Sequence, residues 1–139
     1  MRASLLVVVL VVVGCGGLSP AATQPAVSVD PRCIAASPAL VDTLAITLDR
    51  GLSMVGVYYV KSSDFDNVYF FSGKLQGPQL NGAQKVGTWV TNRSDGTAGF
   101  YTVDPVAAQY SGWGRAANTG QKYSMSNDGA TLSASCASP

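Results

Sequence analysis

The chain has 139 residues, a length typical of one globular domain, and 47% of them are apolar. It contains no His and no Glu, which excludes Ser-His-Asp and Cys-His nucleophile pairs and imidazole metal sites. Arg2 lies in an apolar leader, and the other eight basic residues balance eight Asp residues, so the composition gives no support to nucleic-acid binding.

The first residues have the pattern of a secretory signal. A positively charged start precedes the apolar run at residues 5–13, which is too short to span a membrane. Residues 12–15, Val-Val-Gly-Cys, resemble the lipobox of bacterial lipoproteins. The resemblance implies a signal peptide at residues 1–14, a diacylglyceryl thioether on Cys15 and a lipid-anchored protein on the extracytoplasmic face of the cell membrane. An ordinary signal peptide, cut near Ala21-Ala22 with loss of Cys15, is the alternative.

The resemblance to lipoproteins gives the three cysteines two roles. Lipidation of Cys15 leaves Cys33 and Cys136 as an even pair, and export permits a disulfide between them. Two free buried thiols are the alternative, whereas two Cys without His or Glu make a poor metal-ligand set. Residues 15–32 are rich in Pro and small residues and are predicted to form a flexible tether, so residues 33–139 form one globular domain.

An amphipathic helix is predicted to open the domain. Ser37 can cap it and Pro38 suits its first position. Apolar residues then recur at spacings of three and four as far as Leu52, and Gly51 is expected to end the helix. This would be the one long helix of the fold.

Short β-type runs separated by turn residues follow Gly51. They cover residues 54–60, 68–75, 85–91 and 97–103. Asp104-Pro105 opens a short helical turn, and residues 122–126 and 130–136 are expected to form a final hairpin. The sequence therefore predicts an α+β fold, with one long amphipathic helix on a mainly antiparallel sheet of five or six strands, closed by a disulfide between its two ends.

This order of elements also resembles a group of small exported proteins of actinobacteria. The shared features are one capped helix after a first Cys, Gly-Thr-Trp at residues 87–89, the stretch at residues 103–113 and a terminal Cys. The resemblance implies no particular activity.

Three polar loops could carry chemistry, and each is interpreted as an ordinary loop. A Ser-Lys dyad at Lys61-Ser62-Ser63 would need a desolvated Lys. Asp64, Asp66 and Asn67 could offer oxygens to Ca²⁺, but the Gly and Glu of an EF-hand loop are missing. The glycosylation sequon Asn92-Arg93-Ser94 has no meaning in a bacterial lipoprotein. No metal and no cofactor is predicted.

Aromatic doublets in the predicted strands place rings on both faces of the sheet. One helix can cover only one face, so the other rings either build a second core layer or stay exposed as a binding surface. The second core layer is the preferred interpretation. The candidate binding residues are Tyr58, Tyr69, Tyr101, Trp89 and Trp113.

Together these features predict a non-catalytic binding or interaction module of the cell envelope. Its partners would be the membrane, through the lipid anchor, and an unidentified protein or small-molecule ligand, with no nucleic acid. A small Asp-dependent hydrolase and an inhibitor of an extracellular enzyme are the alternative functions, and no catalytic residue is assigned.

Overall fold

A computed structural model describes residues 30–138. Within this range the chain forms an antiparallel sheet of five strands in the order β1-β2-β3-β4-β5. Each strand pairs antiparallel with its neighbour in sequence, which confirms the predicted α+β fold with an antiparallel sheet. The strands are β1 Ile34–Ala35, β2 Ser53–Lys61, β3 Tyr69–Gln76, β4 Lys85–Thr91 and β5 Tyr101–Thr102.

Three helices, rather than one long helix, pack on this sheet. They are α1 Pro38–Ala45, α2 Pro105–Tyr110 and α3 Ala130–Ala137, and two 3₁₀ turns cover Pro78–Leu80 and Ala116–Thr119. The predicted starts of the first two are confirmed. Ser37 caps α1 by accepting a hydrogen bond from Leu40 N, and Asp104 caps α2 by accepting one from Ala107 N at 2.7 Å.

The prediction that the first helix continues to Gly51 is wrong, because α1 ends at Ala45. Trp113 Nε1 donates to the Leu44 carbonyl at 2.9 Å, and Gly112 N donates to the Thr47 carbonyl at 2.8 Å. These tertiary hydrogen bonds satisfy carbonyl groups at the end of the helix, so the chain can turn away without leaving them unpaired.

The predicted C-terminal hairpin is also wrong, because residues 130–137 form the helix α3. Its buried side chains are small and lie three or four positions apart, as on one face of a helix. They are Ala130, Ser133, Cys136 and Ala137. The two ends of the domain therefore meet at a helix and not at a strand.

The predicted strand at residues 97–103 is reduced to the two residues of β5. Two successive turns precede it, in which Gly96 N donates to Arg93 O and Gly99 N donates to Gly96 O. Gly96 and Gly99 have φ values of 72° and 78°, a conformation that glycine adopts readily. β1, at the other edge of the sheet, was not predicted.

The sheet carries a hydrophobic core on each face. Phe70 and Phe71 are successive residues of β3 and point in opposite directions, and both are fully buried. The Phe71 face packs against α1 and α2, and we call it the α1 face. The Phe70 face packs against α3 and the segment at residues 116–125, and we call it the α3 face. This arrangement agrees with the preferred interpretation of the aromatic doublets, a second core layer.

A disulfide joins Cys33, just before β1, to Cys136 in α3, with 5.9 Å between the Cα atoms. This confirms the predicted pairing across 103 residues of chain. The bond ties together the two ends of the domain, while the sheet itself stays open, with β1 and β5 as its edges.

Candidate binding site

The two tryptophans proposed for a binding surface belong to the core on the α1 face. Trp89 is fully buried, and its Nε1 donates to Ser111 Oγ at 3.1 Å. Trp113 is half-buried, with its ring centroid 5.6 Å from that of Phe100. Both indoles therefore hold the fold together.

The three tyrosines do not form one continuous surface. Tyr58 pairs with Ser72, and Tyr101 pairs with Val90, which places both side chains on the α3 face. Tyr69 lies on the opposite face, beside Tyr59. However, Tyr69 and Tyr101 lie near the same end of the sheet, and each lines a cleft there.

Tyr101 lines a cleft of about 280 Å³, which we call the neutral cleft. It lies between the end of β4, the start of β5 and the segment after the second 3₁₀ turn. Its wall contains aromatic rings, amides and hydroxyl groups but no charged side chain. The lining residues are Val90, Thr91, Asn92, Ala98, Gly99, Tyr101, Thr119, Gln121 and Tyr123.

Local structure holds this wall in place. Thr119 Oγ1 donates to Ala116 O at 2.7 Å and accepts a hydrogen bond from Gln121 N, which fixes the turn at Gly120. The Tyr123 ring packs edge-on against Phe65, with 5.1 Å between ring centroids. The cleft is therefore built on ordered backbone and on the α3-face core.

Several polar groups in the neutral cleft make no hydrogen bond to another described residue. No hydrogen bond within residues 30–138 involves the side-chain amides of Asn92 and Gln121 or the hydroxyls of Tyr101 and Tyr123. Tyr101 is 40% exposed, one of the few large apolar side chains on the surface. The cleft thus offers an open ring and four uncommitted hydrogen-bonding groups to a ligand.

A second cleft, of about 300 Å³, adjoins the first, and we call it the charged cleft. Its lining residues are Asn67, Tyr69, Asn92, Arg93, Ser94 and Asp95. Arg93 and Asp95 form a two-pronged ion pair with distances of 3.1 and 2.7 Å. The Arg93 guanidinium, with hydrogen bonds from Thr97, holds the pKa of Asp95 well below its usual range.

Three residues of the loop at residues 61–67, Ser62, Ser63 and Asp64, make structural hydrogen bonds. Ser62 is buried and donates through Oγ to Asp128 O, while Ser63 Oγ donates to the Asp128 carboxylate at 2.8 Å. Asp64 accepts hydrogen bonds from Asp128 N and Asn127 Nδ2. Residues 30–138 contain no group of three or more His, Cys, Asp or Glu residues able to hold a metal ion.

Asp104 is the described carboxylate whose surroundings most resemble those of a general acid. Burial raises its pKa, and it lines a cavity of about 120 Å³. However, it caps α2, and the cavity wall includes Arg115 but no second carboxylate. The position fits a structural role in the helix cap.

No protein-family model, curated protein or solved structure matches the chain. Within residues 30–138, none of the helices has the length and apolar character needed to cross a bilayer. Cys15, the predicted signal peptide at residues 1–14 and most of the predicted tether lie outside the described residues.

Of the residues that line the two clefts, the predicted binding residues include Tyr69 and Tyr101 but not the other polar residues of the neutral cleft. The sequence marks Asn92 only as part of a sequon and places Tyr123 in a predicted hairpin strand. Gln121 and Thr119 carried no signal, because isolated polar residues in a loop are typical of any surface. Only the tertiary structure brings these groups together.

Proposed function

We propose that this protein is a non-catalytic carbohydrate-binding module that takes a neutral sugar in the neutral cleft. The observation that carries this proposal is the composition of the cleft wall. An exposed tyrosine ring stands beside uncommitted amide and hydroxyl groups, and no charge is present.

A sugar ring has the chemistry that matches this wall. Its C–H groups form an apolar face that can pack on the Tyr101 ring, and its hydroxyls can exchange hydrogen bonds with Asn92 and Gln121. A charged ligand would lose water without gaining an opposite charge from the wall. The volume of about 280 Å³ lies just below the usual range for drug-sized ligands, which suits one sugar ring.

Two features favour binding without catalysis and without a peptide ligand. The neutral cleft has no Asp, Lys or Arg in its wall, so it lacks a carboxylate pair for glycoside hydrolysis. Strand addition by a peptide at the β5 edge, beside the neutral cleft, needs free backbone groups there, but Thr102 N of β5 already donates to Gly114 O at 2.8 Å.

The cellular location predicted from the sequence agrees with this proposed function. The lipid predicted on Cys15 would hold the module on the outer face of the cell membrane, where envelope glycans are its neighbours. A single sugar of about a dozen heavy atoms, at roughly 0.3 kcal/mol per atom, would bind with a Kd of about 2 mM.

The test is a titration of the mature protein with glucose, galactose, mannose and N-acetylglucosamine, followed by amide chemical shifts. We expect at least one sugar to shift the amides of Thr91, Gly99 and Gln121 in a saturable manner. Gln121→Ala should weaken that binding several-fold. Gln84→Ala is the matched control, because Gln84 is exposed and precedes β4, at the opposite end of that strand from Asn92. If no sugar gives a saturable shift, the function is something else.

A further inference from the structure

The two clefts share one residue. Asn92 lies directly after β4 and lines both the neutral cleft and the charged cleft. Tyr69 pairs with Thr91 in the last step of the ladder between β3 and β4, and Tyr101 pairs with the preceding Val90. The two clefts therefore meet where these strands end.

The tyrosines of the two clefts point to opposite faces of the sheet. Tyr69 lies on the α1 face and Tyr101 on the α3 face. A ligand that contacts both must cross the end of the sheet at Asn92. One sugar ring fills only one of the two clefts, whereas linked rings can turn about the torsions of a glycosidic bond and so reach both.

The charged cleft also has the groups needed to hold a sugar. No hydrogen bond within the described residues involves the side-chain amide of Asn67, the hydroxyl of Ser94 or the hydroxyl of Tyr69. Arg93 and Asp95 neutralise each other through their ion pair, and both side chains are about half exposed to solvent. The cleft thus presents donors and acceptors with no net charge.

We infer that the charged cleft is a second sugar subsite, and that the ligand is a neutral oligosaccharide which crosses the end of the sheet at Asn92. This inference rests on the proposed function of the neutral cleft. One ring occupies the neutral cleft, and a linked ring occupies the charged cleft.

The number of linked sugar rings in the ligand is the variable that tests the second subsite. Two linked subsites bind a joined ligand more tightly than either binds one ring, by factors that reach about 10² or more. We expect calorimetric titration of the mature protein with the sugar that binds best, and with its linked di-, tri- and tetrasaccharides, to show an affinity gain of at least about tenfold. The gain should level off once both clefts are filled.

Asn67→Gly is the selective variant. Asn67 has a φ of 53°, which glycine adopts without strain, so the variant removes the side chain and preserves the turn. It should abolish most of the gain with chain length. Gln121→Ala should weaken binding of the single sugar and the oligosaccharide alike, and Gln84→Ala should change neither.

Each outcome distinguishes the subsite from the proposed function. Single-sugar binding with no gain in longer chains would overturn the second subsite and leave the neutral cleft intact. A gain seen only with uronic-acid oligosaccharides would overturn the neutral ligand class. Binding of no sugar of any length would overturn the proposed function itself, and the second subsite with it.

Discussion

At the scale of single residues, three buried hydroxyls join α3 to the sheet. Ser72 Oγ lies 2.9 Å from Thr88 Oγ1 and 2.8 Å from Ser133 Oγ, and all three residues are 0% exposed. Ser133 Oγ also lies 2.9 Å from the Ala130 carbonyl. Small hydroxyl side chains let the helix lie close to the strands, provided that each hydroxyl keeps a partner.

Ser133→Ala tests this cluster, with Ser135→Ala as its matched control on the same helix. Removal of the Ser133 hydroxyl takes a buried hydrogen bond from Ser72, which should lower the free energy of unfolding by about 1 to 2 kcal/mol. Ser135 is exposed, so its replacement should change stability by less than about 0.5 kcal/mol. Urea unfolding measures both, and equal effects would contradict the role of the cluster.

Asp128 is a second residue with a defined energetic role. It accepts hydrogen bonds from the side chain of Ser63, from Arg32 Nη1 and from Ser63 N, and these lower the pKa of its carboxyl. A carboxyl whose pKa is lower in the folded state stabilises the protein above its unfolded pKa of about 3.9. This stabilisation is lost as the pH falls through the pKa that the carboxyl has in the folded protein.

Asp128→Asn should therefore destabilise the protein at pH 7, and the difference from the wild type should shrink as pH falls from about 4 towards 2. The measurement is the urea midpoint across this range. Asp66→Asn is the control, because Asp66 is exposed and makes no hydrogen bond or ion pair within residues 30–138. A pH-independent effect of Asp128→Asn would show that the hydrogen bonds do not depend on its charge.

At the scale of elements, α1 is held by a few residues on one side. Leu40 and Leu44 are buried in the core with Phe71 and Trp89, whereas Ile46, directly after the helix, is 75% exposed. The helix has only eight residues, too few for stability alone, so its contacts with the sheet maintain it.

Leu44→Ala and Ile46→Ala form a matched pair at the end of α1. Leu44 is fully buried, so its truncation should lower the free energy of unfolding by about 2 to 5 kcal/mol. Ile46 should tolerate the same truncation with a change of about 0.5 kcal/mol or less. Thermal unfolding followed by circular dichroism compares the two, and similar losses would place Ile46 in an interface.

The elements differ in how far the sequence predicts them. Large aromatic and β-branched side chains placed β2, β3 and β4 within one or two residues, because these strands carry the packing of both cores. Residues 130–136 are predicted as a strand and not as α3, because the buried side chains of this helix are Ala, Ser and Cys, which show no helical spacing of large apolar residues. The end of α1 depends on Trp113 and Gly112, which lie far away in sequence.

The candidate site likewise has one part that local sequence indicates and one part that depends on distant residues. Tyr69 and Tyr101 were proposed from their place in aromatic doublets, a local pattern. The neutral cleft needs the fold to bring residues 119–123 beside the end of β4, and no local pattern encodes that distance. Trp89 is a candidate binding residue in the sequence but lies in the core. Sequence alone does not separate these two positions, because a large aromatic side chain suits a core and a binding surface equally well.

At the scale of the whole molecule, the disulfide adds a covalent link between the edge of the sheet and α3, which otherwise contact each other through side-chain packing and the hydrogen bond between Ser72 and Ser133. Cys33 precedes the edge strand β1, and Cys136 belongs to the helix that covers the α3 face. The bond closes a loop of 103 residues, for which loop-closure entropy allows up to about 4.7 kcal/mol.

The double variant Cys33→Ala and Cys136→Ala should be less stable than the wild type by about 2 to 5 kcal/mol. Chemical reduction of the wild type should produce a similar loss, since both treatments remove the same constraint. Guanidinium unfolding with and without reductant is the measurement. Unchanged stability in both cases would mean that packing alone fixes the ends of the domain.

The position of the clefts relative to the chain entry links the fold to the predicted anchor. Ile34 pairs with Tyr59, so the chain enters β1 near the end of β2 at Lys61, which pairs with Tyr69 beside the charged cleft. The tether therefore joins the domain at the end of the sheet that holds both clefts. A lipid on Cys15 would therefore be linked to the domain at this end of the sheet.

Cys15→Ser tests the anchor independently of the fold. The wild type should partition into the detergent phase of a Triton X-114 extract, with an intact mass that includes acyl chains, because the thioether needs the Cys15 sulfur. Cys15→Ser should appear in the aqueous phase or accumulate as an uncut precursor, while its sugar binding stays unchanged. The double Cys33→Ala and Cys136→Ala variant should stay in the detergent phase, which separates the lipid-bearing sulfur from the two bonded ones. A wild-type product that begins after residue 21 and carries no lipid would establish the ordinary signal peptide instead.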